Sequence, residues 1–165
     1  MPRKNRDREF EQFYRSTKDQ VFRALLVVSR DREIAEDAVS EAYTRALAMW
    51  DQVERHPAPS AWVAKTALNH VRSMGRVAAR ASSEDAPDIP VSDDPPTDPE
   101  LLRSLLALPE RQREVVALRI VLGLNTEQTA EFLGIAGGTV TTHLFRALTR
   151  LQEELSEIAP KEAWL

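Results

Sequence analysis

The chain has no cysteine among its 165 residues, which excludes disulfides, zinc–thiolate sites, iron–sulfur clusters and thiol catalysis. Glycine is scarce, with five residues, so collagen-like and Gly-rich low-complexity chains are excluded. No apolar run approaches the ~20 residues of a membrane span; the longest stretches are five residues, as at 24–28. The basic start Met1-Pro2-Arg3-Lys4-Asn5-Arg6 has no apolar stretch behind it, unlike a secretory signal. His56, His70 and His143 share no metal-ligand spacing, there is no glycine-rich phosphate loop, and no nucleophile stands beside a plausible base. The composition, 42% hydrophobic and 29% charged, is that of a soluble helical protein. The expectation is a cytoplasmic chain that is not an enzyme, with no metal site and no cofactor.

The net charge of −4 conceals a strong asymmetry. Residues 1–80 carry 15 bases against 11 acids, residues 81–100 no base against seven acids, and residues 101–165 seven bases against eight acids. The acidity sits in one short middle segment, which also holds Pro87, Pro90, Pro95, Pro96 and Pro99. Proline disfavours helix and like charges repel, so an extended linker is expected over 82–98. The fold class that follows is all-α, two small helical domains joined by an acidic, proline-rich linker, with a basic N-terminal tail at 1–8. The domains are expected at 9–81 and 99–157, with a C-terminal tail at 158–165.

In the first half, Phe10, Phe13, Tyr14, Val21, Phe22, Leu25 and Leu26 recur at three- and four-residue steps, which predicts an amphipathic helix. A second helix follows the Ser29-Arg30-Asp31 break, with Ile34, Ala35, Ala38, Val39, Ala42, Tyr43, Ala46, Leu47 and Trp50 on its apolar face. Glu33, Glu36, Asp37 and Glu41 load its early turns with acid, which complements the helix dipole. Pro57 and Pro59 punctuate the chain, and Ser60 is the expected N-cap of a third helix. From Glu54 to Glu84 there is no acid between, whereas Arg55, Lys65, Arg72, Arg76 and Arg80 fall inside. Arg72, Arg76 and Arg80 are four apart and share a helix face. A basic stripe with Asn69 and His70 beside it suits phosphates and bases; a merely solvated basic face is the alternative.

In the second half, Leu101, Leu102, Leu105 and Leu106 begin a short helix, and Pro109 opens another that Val115, Val116, Leu118, Ile120 and Val121 carry to Gly123. Asn125 and Gln128 form a capping box at the start of the next helix. Ala130, Gly134, Ile135 and Val140 then have helix-turn-helix spacing, with Gly134 at the left-handed turn. The last helix buries Val140, Leu144, Ala147, Leu148 and Leu151. It turns Gly138, Thr139, Thr141, Thr142, His143 and Arg146 outward, as a recognition helix in a major groove does.

Together these blocks resemble the extracytoplasmic-function sigma factors, small sigma subunits of the sigma-70 superfamily. Ala35-Glu36-Asp37-Ala38-Val39-Ser40-Glu41-Ala42-Tyr43 is similar to the family's core-binding helix. Leu108-Pro109-Glu110-Arg111-Gln112-Arg113 with Leu118-Arg119 resembles the start of its C-terminal domain. Leu133-Gly134-Ile135 and Gly138-Thr139-Val140 with Arg146-Ala147-Leu148 resemble its helix-turn-helix. The resemblance implies that the chain binds core RNA polymerase (the beta-prime clamp and the beta flap) and promoter DNA, directing promoter recognition and melting. It implies core-polymerase contacts by Glu36, Asp37, Ser40, Glu41 and Tyr43. Contacts with the −10 element fall to Trp62, Lys65, Asn69, Arg72 and Arg76, with Trp62 fitting the core equally well. Contacts with the −35 element fall to Thr126, Gly138, Thr139, Thr141, Thr142, His143 and Arg146. An anti-sigma factor as a further partner, a monomeric free state and a linker threading a basic polymerase channel are implied as well. Ser40 stands where the family usually has Gln, Thr129 where it has Ile or Val, Ala136 where it has a capping Ser, and Thr141 and His143 where Lys or Arg is common.

A stand-alone helix-turn-helix repressor would account for 110–151 but leaves 9–80 without a role. A sigma-like interaction module that has lost promoter recognition is the third reading.

Overall fold

The computed structural model describes residues 3–79 and 98–158, with side chains for 3–74 and 98–157. The chain divides into two compact units, Met1–Asp88 and Ile89–Leu165. Regular structure among the described residues is entirely helical, as the periodicity predicts.

The first unit contains α1 (Arg3–Ser29), α2 (Arg32–Ala48), α3 (Trp50–Val53) and α4 (Pro59–Ala79). Helices α1, α2 and α4 pack against one another pairwise. What α2 buries is mostly methyl groups, since Ala35, Ala38, Ala42 and Ala46 have no exposed surface. Their three- and four-residue steps place them on one stripe, where small side chains let both neighbours approach closely. The neighbours supply the volume, with Val21, Leu25 and Val27 from α1 and Val63, Leu68 and Val71 from α4. The chain passes from α1 to α2 through Arg30, left-handed at φ 58°. Asp31 then caps α2, its carboxylate accepting from the Ile34 N–H at 3.0 Å, which satisfies an amide with no intrahelical partner.

Four details depart from expectation. Helix α1 already begins at Arg3, inside the stretch expected to be a basic tail. Arg6 holds it there: its Nη2 donates to the Leu47 carbonyl at 3.1 Å and its Nε lies 3.5 Å from Asp51, a cation at the end of α2 where the dipole favours one. Helix α2 stops at Ala48, and Met49 leaves helical geometry at φ −110°, ψ 24°. The break lets Trp50 lead α3 and place its ring 5.4 Å from Phe10 and 5.1 Å from Phe13. Leu47, expected inside, is 44% exposed, because the alanine stripe already fills the inner face and Leu47 follows it by one residue. Ser60 is not a cap: α4 starts at Pro59, where a missing N–H costs nothing, and the Ala58 N–H before it is accepted by His56 Nδ1 at 3.0 Å.

The second unit contains α5 (Pro99–Leu106), α6 (Glu110–Val116), a π turn (Ala117–Val121), α7 (Thr126–Leu133) and α8 (Gly137–Ile158). The expected capping box is formed in both directions: Asn125 Oδ1 accepts from Gln128 N–H at 2.8 Å, and Gln128 Oε1 accepts from Asn125 N–H at 2.9 Å. Gly134 ends α7 in the left-handed region at φ 66°, and the Ile135 N–H returns to the Ala130 carbonyl at 3.1 Å. Leu105, Leu108, Val115, Leu118, Leu133, Val140, Ala147 and Leu151 make the core.

Here too the structure corrects particulars. The helix expected to run unbroken to Gly123 widens after Val116, and the Leu122 N–H reaches five residues back to the Ala117 carbonyl at 3.0 Å. One residue more per turn rotates Ile120 out of the core, leaving it 56% exposed. Leu148, expected inside, is exposed as well, and on α7 the fully buried position is Thr129 while Ala130 is half-buried. Asp98, assigned to the linker, accepts from the Glu100 N–H at 3.0 Å and caps α5. The rest of the expected linker, Arg80 and the tail beyond residue 158 lie outside the described residues.

Candidate functional site

The outer face of α2 is polar and pre-paired. Glu36, Asp37 and Ser40 are exposed and Glu41 half-buried. Glu36 lies 3.2 Å from Arg32, and Glu41 lies 2.7 Å from Arg45, pairs four residues apart that hold the carboxylates along the helix surface. Asp37 instead reaches across to α4, where His70 Nε2 lies 2.7 Å from its Oδ2. Leu47 and Met49 continue this exposed face with apolar surface.

Tyr43 does not belong to that face. It is 4% exposed, and its hydroxyl lies 2.7 Å from Thr17 Oγ1. Thr17 has one hydroxyl hydrogen, which it gives to the Phe13 carbonyl at 2.7 Å, so the Tyr43 hydroxyl is the donor to Thr17. Burial pushes the Tyr43 hydroxyl up to about 12, because a phenolate would stand where little water reaches. Tyr43 is thus a packing residue, edge-on to Tyr14 at 4.9 Å.

Helix α4 brings the expected nucleic-acid residues together. Trp62, Lys65, Asn69, Arg72 and Arg76 are separated by three, four, three and four residues, so one face carries all five. The opposite face buries Val63, Ala64, Ala67, Leu68 and Val71. Lys65 and Asn69 are exposed, and Trp62 and Arg72 half-buried. Trp62 therefore sits at the rim of the core and heads the basic row. Arg76 is within the helix, its side chain outside the described set. No acid occurs on α4, and the carboxylate that reaches its flank is Asp37.

In the second unit, Gly138, Thr139, Thr141, Thr142 and Arg146 are exposed on α8, opposite Val140, Ala147 and Leu151. His143 is half-buried at the flank, its Nδ1 enclosed and without a hydrogen-bond partner. Thr126 lies at the seam of the two helices, where a Cβ on Gly137 would stand 3.7 Å from its methyl group. Phe145, absent from the expected set, is 70% exposed on the same outer face. Its spacing of four from Thr141 and three from Thr142 would have placed it there.

Two helical units, one with an acid-free basic stripe and one with a helix-turn-helix, define a two-domain protein built to engage nucleic acid. The family description Sigma-70 region 2 matches residues 13–81, and Sigma-70, region 4 matches residues 99–151. The chain is 32% identical over 152 residues to the RNA polymerase sigma-E factor of Streptomyces coelicolor, covering 89% of this chain and 86% of that one. It is 30% identical over 146 residues to the ECF RNA polymerase sigma factor SigM of Mycobacterium tuberculosis, covering 86% and 74%. Among solved structures, the sigma factor RpoE of Bartonella quintana, crystallised in complex with the anti-sigma factor NepR, has a TM-score of 0.75 at 25% identity, covering 90% of this chain and 97% of that one. The chain belongs to the extracytoplasmic-function sigma factors of the sigma-70 family, RNA polymerase sigma factors that act in transcription initiation. None of its helices, among the described residues, is long and apolar enough to cross a membrane.

Proposed function

We propose that the outer face of α2, through Glu36, Asp37, Ser40 and Glu41, docks on the clamp of core RNA polymerase, and that the α4 row Trp62, Lys65, Asn69, Arg72 and Arg76 engages the −10 element. Opening a base from the duplex costs a few kcal/mol, which the basic row and the half-exposed Trp62 ring are placed to offset. Helix α8 faces the −35 element with Gly138, Thr139, Thr141, Thr142 and Arg146, flanked by Thr126 and His143, and the second unit meets the beta flap. The role is regulatory rather than catalytic, and its setting is the cytoplasm. The observation that carries this reading is the α4 row itself: Lys65 and Arg72 interleaved with Trp62 and Asn69 on a helix without an acid, opposite a buried apolar face. An anti-sigma factor is a partner of the same surfaces, a reading supported by the likeness to RpoE, which was solved with one.

Run-off transcription with core polymerase from the same organism, on the region upstream of this chain's own gene, tests the proposal. A discrete transcript that depends on the chain is expected. Firm core binding without a transcript would reduce the chain to an interaction module, and no core binding at all would revive the repressor.

A further inference from the structure

The reading face of α8 has an unusual chemistry for a helix set over DNA. Thr141 and Thr142 are exposed, yet their hydroxyl hydrogens are engaged within the helix: Thr141 Oγ1 donates to the Gly137 carbonyl at 3.2 Å, and Thr142 Oγ1 to the Gly138 carbonyl at 2.9 Å. A hydroxyl has a single hydrogen, so neither residue can donate to a base without breaking its bond to the backbone. Guanine shows only the acceptors N7 and O6 on its major-groove edge, and reading them takes a donor. What the two threonines retain for an outside partner is oxygen lone pairs, which accept alike from cytosine N4–H2 and adenine N6–H2 and so do not discriminate, and a methyl group each, which does.

The neighbours point the same way. Phe145 adds an exposed ring beside them on the same face. Gly138, one turn before Thr142, has open space where a Cβ would stand, so nothing overhangs the methyl groups from the N-terminal side. The strong donor of this surface, Arg146, lies a full turn past Thr142 on the same face, beyond the first turns of the helix. Methyl and phenyl groups are complementary to the C5-methyl group of thymine, the one apolar feature in the major groove.

We propose that Thr141 and Thr142 select thymine through its C5-methyl group, so that the base pairs beneath the first turns of α8 are A·T rather than G·C. This rests on the reading of α8 as the −35-facing helix and adds the base that it prefers. Thr142, at the middle of the exposed face, carries the larger share.

The test uses the holoenzyme formed from the full chain and core polymerase, on a promoter located by the run-off assay. Each thymine of its upstream element is replaced singly by deoxyuridine, which removes only the methyl group. Affinity should fall about fourfold at each thymine contacted, the value of one buried methyl group. Thr142→Val, which keeps the methyl group and removes the hydroxyl, should retain both affinity and sensitivity to deoxyuridine. Thr142→Ser, which keeps the hydroxyl and removes the methyl group, should lose that sensitivity. Circular dichroism of both variants, altered at an exposed position, should match the parent. A transcript that is indifferent to deoxyuridine would overturn the base preference while leaving the sigma-factor reading intact. Weak binding by Thr142→Val beside normal binding by Thr142→Ser would assign recognition to the hydroxyl and overturn it too. No transcript from any template would remove both.

Discussion

His70 Nε2 lies 2.7 Å from Asp37 Oδ2, and this contact joins the flank of the basic row on α4 to the acidic face of α2. Its side chains are partly solvated, so its share of stability is small, below about 1 kcal/mol. Its importance is positional, because it fixes the seam between the surface proposed for polymerase and the surface proposed for DNA. Asp37→Lys should therefore leave the far-ultraviolet spectrum and melting point nearly unchanged while weakening capture by core polymerase at least tenfold. Unchanged capture would remove Asp37 from the docking surface.

Tyr43 gives a pH dependence of definite sign. Its hydroxyl ionises at about 12 in the folded chain and near 10 in the unfolded one, so the folded state holds the proton more tightly. The stability tied to it is complete below pH 10 and is lost as pH rises from 10 toward 12, by about 1.4 kcal/mol per pH unit. Denaturant melts at pH 9 and pH 11 should show this loss, and Tyr43→Phe should lessen it. At neutral pH the same variant should be less stable by about 1 kcal/mol, since Thr17 loses its donor.

Thr129 offers a gain. It is fully buried on α7, and its hydroxyl has no hydrogen-bond partner. Thr129→Val keeps the β-branched shape and removes a desolvated polar group, so the second unit should gain about 1 kcal/mol. Thermal unfolding should shift upward by several degrees, and a decrease would reveal a partner for that hydroxyl.

Arg146 and Arg150 are the basic residues of the described parts of α7 and α8, and Arg150 lies 3.4 Å from Glu154. So few cations limit these two helices to one or two phosphate contacts. Arg146→Ala should reduce the slope of log affinity against log salt by about one unit and weaken initiation on templates that carry the upstream element. An unchanged slope would place recognition elsewhere.

What local spacing decides was legible in the sequence. The capping box at Asn125 and Gln128, the left-handed turn at Gly134 and the common face of Lys65, Asn69 and Arg72 all follow from residues within one or two turns of each other. Features set by distant partners were not. Met49 breaks α2 so that Trp50 can reach Phe10 and Phe13, some forty residues away in sequence. Leu47 and Leu148 read as core because leucine ordinarily is, and only the packing of whole helices shows those places already filled. The π turn after Val116 carries no composition signal of its own. Phe145 stands off the inner stripe, and counting from Thr141 and Thr142 places it on the outer face.

The alanine row of α2 divides that helix into two independent halves. Ala35, Ala38, Ala42 and Ala46 leave no volume for anything larger, so the inward half is closed to change. Most of the outward carboxylates bond within α2 itself, so exchanging them disturbs nothing beneath. Substitutions at 36, 40 and 41 should then combine additively with substitutions in the core. A lineage could redraw the outer surface residue by residue to suit a new partner while the bundle below stayed the same.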